Sequence, residues 1–331
     1  MGASRISRLL RVPAALPAAL LLLPALLAGG CTDDAEEPRK PGEGTEEGTK
    51  DVSPFTGMAG RGGPVLGVKV DNAAPARPQT GLEQADIVYV ERVEGGLSRL
   101  LAVYSTRTPA RVGPVRSARE SDLRLLEQFG RPAFAFSGAQ SRLLPAIDDA
   151  PLFPVPPAEA AGAYLRGSAK PPPHNLFLRP GKALAAAPDA DPAPDIGFRF
   201  GAAPEGGRAT AARTVRYPAA SFGFTWDAGR ERWLISFDGS PAATAAGGRL
   251  SAATVVVQHV RIRDSTLGDS LGNVTPFTET VGKGKAEVLR GGRSYPARWE
   301  RGSAGDGTEF TGPDGARIPF ARGPVWVVLT E

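Results

Sequence analysis

The 331 residues predict an α+β fold, with strand-rich mixed or antiparallel sheets and a few helices arranged in two adjoining units. Three observations carry this. Short runs rich in β-branched and aromatic residues, bounded by Gly, Pro and Asn, recur from residue 65 to residue 329 and read as strands. Helix-start signals are confined to a few short stretches between residues 117 and 145. An Ala/Pro/Asp-rich stretch at 186–212, following through AAAPDADPAPD, shows no sustained period and separates an α+β unit at 53–185 from a β-rich unit at 213–331. Residues 53–331 suffice for one large or two smaller cores.

Residues 1–30 place Arg5, Arg8 and Arg11 before an apolar run that ends in Ala28, Gly29 and Gly30. Basic, apolar and small residues in that order form a secretory signal, and the run is too rich in Pro and Ala for a membrane span. LLAGGC is similar to a bacterial lipobox, with Ala28 where leucine is usual and Leu27 one place earlier. Cys31, the sole cysteine, cannot form an internal disulfide, and at this position it predicts lipidation. Each buried acyl methylene contributes roughly 0.8 kcal/mol, so two chains hold a protein on a membrane stably. The expected location is the extracytoplasmic face of the plasma membrane. Residues 31–52 carry eight acids, three bases and no aromatic residue. Such a segment cannot offset its ordering entropy and predicts a solvated tether with a reach of about 25 Å.

The net charge of +4 hides this partition. Without the signal the chain is nearly neutral, because the tether is acidic and the folded part mildly basic. No dense basic helix or basic–aromatic module supports nucleic-acid binding. A mildly basic body suits anionic lipid or a phosphate-rich envelope polymer.

In the first unit, residues 65–70, 86–92 and 97–104 read as strands, with Gly95 and Gly96 making a hairpin connection between the last two. Ser117 and Glu120 fit a capping box at a helix start, and Leu123, Leu125, Leu126 and Phe129 supply its apolar face. Residues 133–136 read as a short strand. The run from Ser137 to Gln140 repeats the capping logic before a helix expected to stop near Pro145. In the second unit, Phe222, Phe224 and Trp226 alternate, as do Trp233, Ile235 and Phe237, around a Gly-containing turn. These predict a hairpin whose aromatic strips are core. Further strands are expected at 254–262, 285–289, 294–299, 308–310 and 325–329. No repeat at solenoid spacing and no second membrane segment is present.

The runs VKVDNAAPARPQTGL, ADIVYVERVEGGLSRLLAVY and VGPVRSAR, with the later PPHNL, resemble the YerB-like lipoproteins of bacteria, a family whose domains carry an unknown-function label. The resemblance spans nearly everything after residue 53. It implies a fold and a location but no reaction, and it implies that the polar residues flanking the first strands share one region. Gln258 and Lys283 also resemble polar positions of the family, without a role.

The candidate ligand-binding residues are Asp71, Asn72, Arg77, Glu91, Glu94, Arg99, Arg116, Ser117, Arg119, His174 and Asn175. Glu91 and Arg99 either belong to a site or pair across the hairpin on a solvated face. Three prolines stiffen the loop that carries His174 and Asn175. Arg116 and Arg119 flank a helix start, where a cation is unfavourable by roughly 0.3–1 kcal/mol. Either an internal carboxylate (Glu91, Glu94 or Glu120) or an anionic ligand offsets that cost.

Two histidines, and no cysteine left after lipidation, argue against a zinc site, and no motif calls for a cofactor. S-x-x-K, H-E-x-x-H and P-loop patterns are absent, and cysteine-dependent transpeptidation is excluded. The sequence leaves three readings. One is a lipid-anchored binding or scaffold protein, with an envelope polymer or an envelope protein as partner. The second is a wall glycan or peptide hydrolase using Asp71, Glu91 or Glu94 as general acid and base, although flanking arginines hold carboxylates ionised. The third makes the polar cluster purely structural.

Overall fold

The computed structural model describes residues 52–268 and 273–331; the signal-like run, Cys31 and all but the end of the tether lie outside the described residues. No described helix is long and apolar enough to cross a membrane.

The first strands are β1 (Leu66–Asp71), β2 (Ile87–Arg92) and β3 (Ser98–Tyr104). Both of their faces are covered, so they read as nearly continuous apolar runs. β3 lies antiparallel to β1 and β2, and the register sets Asp71, Arg99 and Glu91 side by side across three strands. α1 (Glu120–Leu126), β4 (Ala133–Ala135), α2 (Leu144–Asp149), β5 (Phe153–Pro154), β6 (Tyr164–Arg166), β7 (Leu176–Leu178) and α3 (Pro180–Ala185) follow.

Two helix starts differ from expectation. Ser117 does not cap α1. The Arg116 carbonyl accepts from Ser137 N–H at 3.0 Å, and Ala118 N–H donates to the Gly138 carbonyl at 2.9 Å, so this stretch is held as extended chain. The helix begins only at Glu120, where the Asp122 carboxylate accepts from the Arg119 N–H at 2.6 Å. Pro145 opens a helix where a stop was expected. A 3-10 turn at Ser141–Leu143 leads into α2, and Pro145 sits in its first turn, where the missing N–H has no intrahelical partner to lose.

The second stretch contributes β8 (Arg208–Ala209), β9 (Ala212–Tyr217), β10 (Ala220–Asp227), β11 (Arg232–Phe237), β12 (Ser240–Pro241), β13 (Ser251–Ala252) and β14 (Thr254–His259). It continues with β15 (Arg261–Gly268), β16 (Val274–Glu279), β17 (Gly282–Arg290), β18 (Arg293–Arg301), β19 (Glu309–Thr311) and β20 (Val325–Thr330). The aromatic hairpin pairs Phe222 with Phe237 and Trp226 with Trp233. The strand expected at 254–262 breaks at Val260, whose N–H turns to the Thr330 carbonyl. β15 then pairs with β16 as a separate hairpin that the sequence reading lacks.

Among the described residues the main sheet has eleven strands, in the order β19, β18, β17, β14, β20, β2, β3, β1, β4, β5, with β8 on β18. β20 runs parallel to both neighbours, setting Val325 opposite Thr254 of β14 and Ile87 of β2. Strands from both halves of the chain thus share one sheet. Successive side chains point to opposite faces. Trp326 and Val328 enter a core with Phe222, Phe224, Trp233 and Ile235 of the small sheet formed by β9–β13. Val325, Val327 and Leu329 enter a second core with Leu123 and Leu126 of α1. The Tyr217 hydroxyl fastens the small sheet to the large one through the carbonyls of Val90 and Leu329, at 3.1 and 2.7 Å.

Candidate functional site

The α1 side of β1 and β2 carries charge inside the core. Lys69 is fully buried, its Nζ 2.5 Å from Asp122 Oδ1 and 3.1 Å from Glu91 Oε2. Two carboxylates share one ammonium, and Glu91 Oε1 has no hydrogen-bond partner among the described residues. Burial pushes the Glu91 carboxyl up to about 8; Lys69 opposes this and Asp122 adds to it. Glu91 faces Arg99 in register, yet its carboxyl group meets Lys69, and it lines neither of the cavities described next.

The connection between β2 and β3 lines two neighbouring cavities. Gly95 and Gly96 adopt φ of 66° and 71°, and a side chain on Gly96 would strike Pro218. The tight tip sets Glu94 toward one side and exposes Leu97. The first cavity, about 640 Å³, is lined by Glu94, Arg99, Arg116, Ser117, Arg119 and Gln140, and closed by Thr275 of the β15–β16 hairpin. The second, about 340 Å³, is lined by Asp71, Asn72, Arg77, Arg99, Arg116 and His174, with Asp238 from the small sheet. Both contain Val93, Leu97, Arg99 and Arg116.

Arg119 meets Glu94 through two hydrogen bonds, Nε to Oε1 at 2.6 Å and Nη2 to Oε2 at 2.8 Å, and Thr275 Oγ1 donates to Glu94 at 2.6 Å. Burial opposes ionisation of Glu94, but these bonds and the Arg119 charge together hold its carboxyl below the usual range. The expected internal partner of Arg119 is therefore Glu94. Asp71 is 3% exposed and accepts from Ala73 N–H at 3.0 Å through Oδ1. Its Oδ2 meets His174 Nδ1 at 2.8 Å and Arg116 Nε at 3.4 Å. The loop that brings His174 here is tied down by Lys170 Nζ, which donates to the carbonyls of Ala76 and Pro78. Asn72 accepts from Arg77 and Gln79 and donates to Ser98 Oγ, and Arg77 reaches Asp238 at 2.8 Å. Asn175 stands apart, bonded to Arg166 and Gly167.

Arg99 differs from all of these. It is 9% exposed, yet no carboxylate lies within 4.0 Å among the described residues, and its one hydrogen bond there goes to the Ser117 carbonyl at 3.2 Å. Burial, with the charges of Arg119 and Arg116, lowers its pKa to about 10, so it remains a cation at neutral pH.

Sequence reasoning missed Lys69, Asp122, Gln140, Asp238 and Thr275. Lys69 carried a signal, a lone charge inside the apolar run VLGVKV. The others reach the site through long-range pairing that leaves no local trace. Among the described residues no cluster of His, Cys, Asp and Glu is arranged to hold a metal.

Sequence profiles decide the family. The N-terminal domain of "Protein of unknown function (DUF3048)" matches residues 55–193 and the C-terminal domain matches residues 213–327. This chain belongs to the DUF3048 family. A curated relative, "Putative lipoprotein YerB" of Bacillus subtilis (strain 168), is 51% identical over 55 residues, which is 17% of this chain and 17% of that protein. The crystal structure of YerB from Bacillus subtilis is similar with a TM-score of 0.72 at 22% identity, covering 85% of this chain and 97% of that one. At that identity the likeness shows a shared fold.

Proposed function

We propose that this chain is a lipid-anchored protein of the bacterial cell envelope that binds an anionic ligand in the groove formed by the two cavities, with Arg99 and Arg116 as the gripping residues. One observation carries the binding role. Arg99 keeps its charge in a nearly buried place with no carboxylate in ion-pair contact among the described residues, and it lines both cavities. A guanidinium so placed costs stability unless an anion completes it, and its planar fork suits phosphate or carboxylate. The anchor rests on Cys31 and the run before it, and on the printed name of the Bacillus subtilis relative. The hydrolase reading is weaker, because Glu94 is held ionised by Arg119 and Glu91 is enclosed with Lys69.

Arg99→Met tests the binding role. The full-length chain, purified in detergent, is titrated with inorganic phosphate and glycerol phosphate. The variant should lose at least about tenfold in affinity, or about 1.4 kcal/mol, while its melting temperature stays level or rises. A lowered melting temperature with unchanged binding would make Arg99 structural. For the anchor, Cys31→Ser should release the protein or leave it unprocessed, and mature-sized variant that still requires detergent for extraction would contradict lipidation.

A further inference from the structure

From the way the two cavities meet, we infer that the anionic group bound here is a phosphodiester within a chain, with an uncharged polyol or sugar substituent entering each cavity. This rests on the anion-binding reading above and adds the ligand's class.

The two guanidinia best placed for an anion, Arg99 and Arg116, are not at the end of a cavity. They belong to the lining of both, together with Val93 and Leu97. An anion held between them would have one cavity of about 640 Å³ and another of about 340 Å³ to receive its substituents. A terminal phosphate or a free phosphate ion fills neither. A group esterified on two sides places one substituent in each.

The charge of the walls favours the same class. Four guanidinia (Arg77, Arg99, Arg116, Arg119) face four carboxylates (Asp71, Glu94, Glu120, Asp238) across the joined lining. Three of the arginines have carboxylate partners, Arg77 with Asp238, Arg116 with Asp71 and Arg119 with Glu94. Glu120 is engaged by the Ser265 hydroxyl at 2.5 Å. Arg99 alone of the four lacks a carboxylate within 4.0 Å among the described residues. One open cation matches the single charge of a diester. A monoester near its second ionisation carries up to two charges, and the second would face Glu94 or Asp71.

Away from the shared residues the linings offer hydroxyl-binding groups. Gln140 Oε1 is buried without a hydrogen-bond partner among the described residues and lines the first cavity with Ser117, Ser141 and Thr275. In the second, His174 has its Nδ1 engaged by Asp71, which leaves Nε2 on the opposite edge of the ring. Leu97, 48% exposed at the junction, gives the carbon backbone of such a ligand an apolar surface.

Titration calorimetry on the full-length chain in detergent would compare inorganic phosphate, glycerol 1-phosphate, glycerophosphoglycerol and dihexanoyl phosphatidylglycerol below its micelle concentration. The diester should bind at least about tenfold more tightly than the monoester, against the order that charge alone dictates. Ala139→Trp narrows the first cavity and Ala74→Trp the second, and each should bring the ratio of diester to monoester affinity toward one. A monoester that binds as tightly as the diester would overturn the diester inference and leave anion binding standing. No binding of any probe would remove both. Preference for glycerophosphoglycerol over the short-chain lipid assigns the diester to a polymer, and the reverse assigns it to a lipid headgroup.

Discussion

Lys69 and Glu91 show how a buried charge ties this protein's stability to pH. The folded state raises the Glu91 carboxyl from its ordinary 4.5 to about 8, with burial the first cause. Between those values the native state keeps a proton that the unfolded chain has lost, so this group's contribution to stability falls as pH rises from about 4.5 to about 8 and levels off above. Gln matches the neutral acid in shape. Glu91→Gln should therefore leave the melting temperature nearly unchanged at pH 5 and raise it at pH 9 relative to the wild type. An equal pH 5 to pH 9 difference in both proteins would show that Glu91 is ionised in the fold. Lone charges in apolar strand runs were the part of this network that the sequence displayed; their convergence on Asp122 depends on α1 lying over Gly67, where an added Cβ would come within 2.9 Å of Leu126.

Among elements, the β2–β3 tip and the segment before α1 settle what each arginine does. Arg119 is clamped to a 7% exposed Glu94, whereas Arg116 is half-buried and touches Asp71 only at 3.4 Å. Arg119→Met should cost roughly 2–3 kcal/mol, since it removes two charge-assisted bonds and leaves a carboxylate short of partners. Arg116→Met should cost under about 1 kcal/mol. Denaturant melts of the two single variants would check this, and equal losses would contradict the assignment. Local signals served well where the partner is close in sequence, as in the Phe222 to Phe237 hairpin, which its period of two and turn residues predicted and whose register the structure supplies. They failed at Ser117, where the pattern was right for a cap but Gly138, twenty residues beyond Ala118, accepts from the Ala118 N–H and holds the backbone extended. They failed also at the β15–β16 hairpin, because the polar sequence RIRDSTLG shows no apolar alternation.

For the whole molecule, the central fact is that β20 lies between β2 and β14. Sequence reading found β20 as a strand and assigned it to the second stretch, since nothing local in VWVVLT names a partner more than two hundred residues away. Removing residues 325–331 should abolish cooperative unfolding, because it deletes buried Val325, Trp326, Val327, Val328 and Leu329 and opens the main sheet in the middle. Residues 52–193 expressed alone should lack native β2 protection in hydrogen exchange. A sharp, wild-type-like melt from either fragment would refute this.

That placement sets the order of synthesis against the order of assembly. β2 and β14 are both made before the strand that hides them, and each waits with an apolar face and an open row of backbone donors and acceptors. A chain that has formed β2 and β14 but not yet docked β20 is thus the form most exposed to edge-to-edge association, and a holdase that occupies the β2 edge until β20 docks would raise the yield without touching stability.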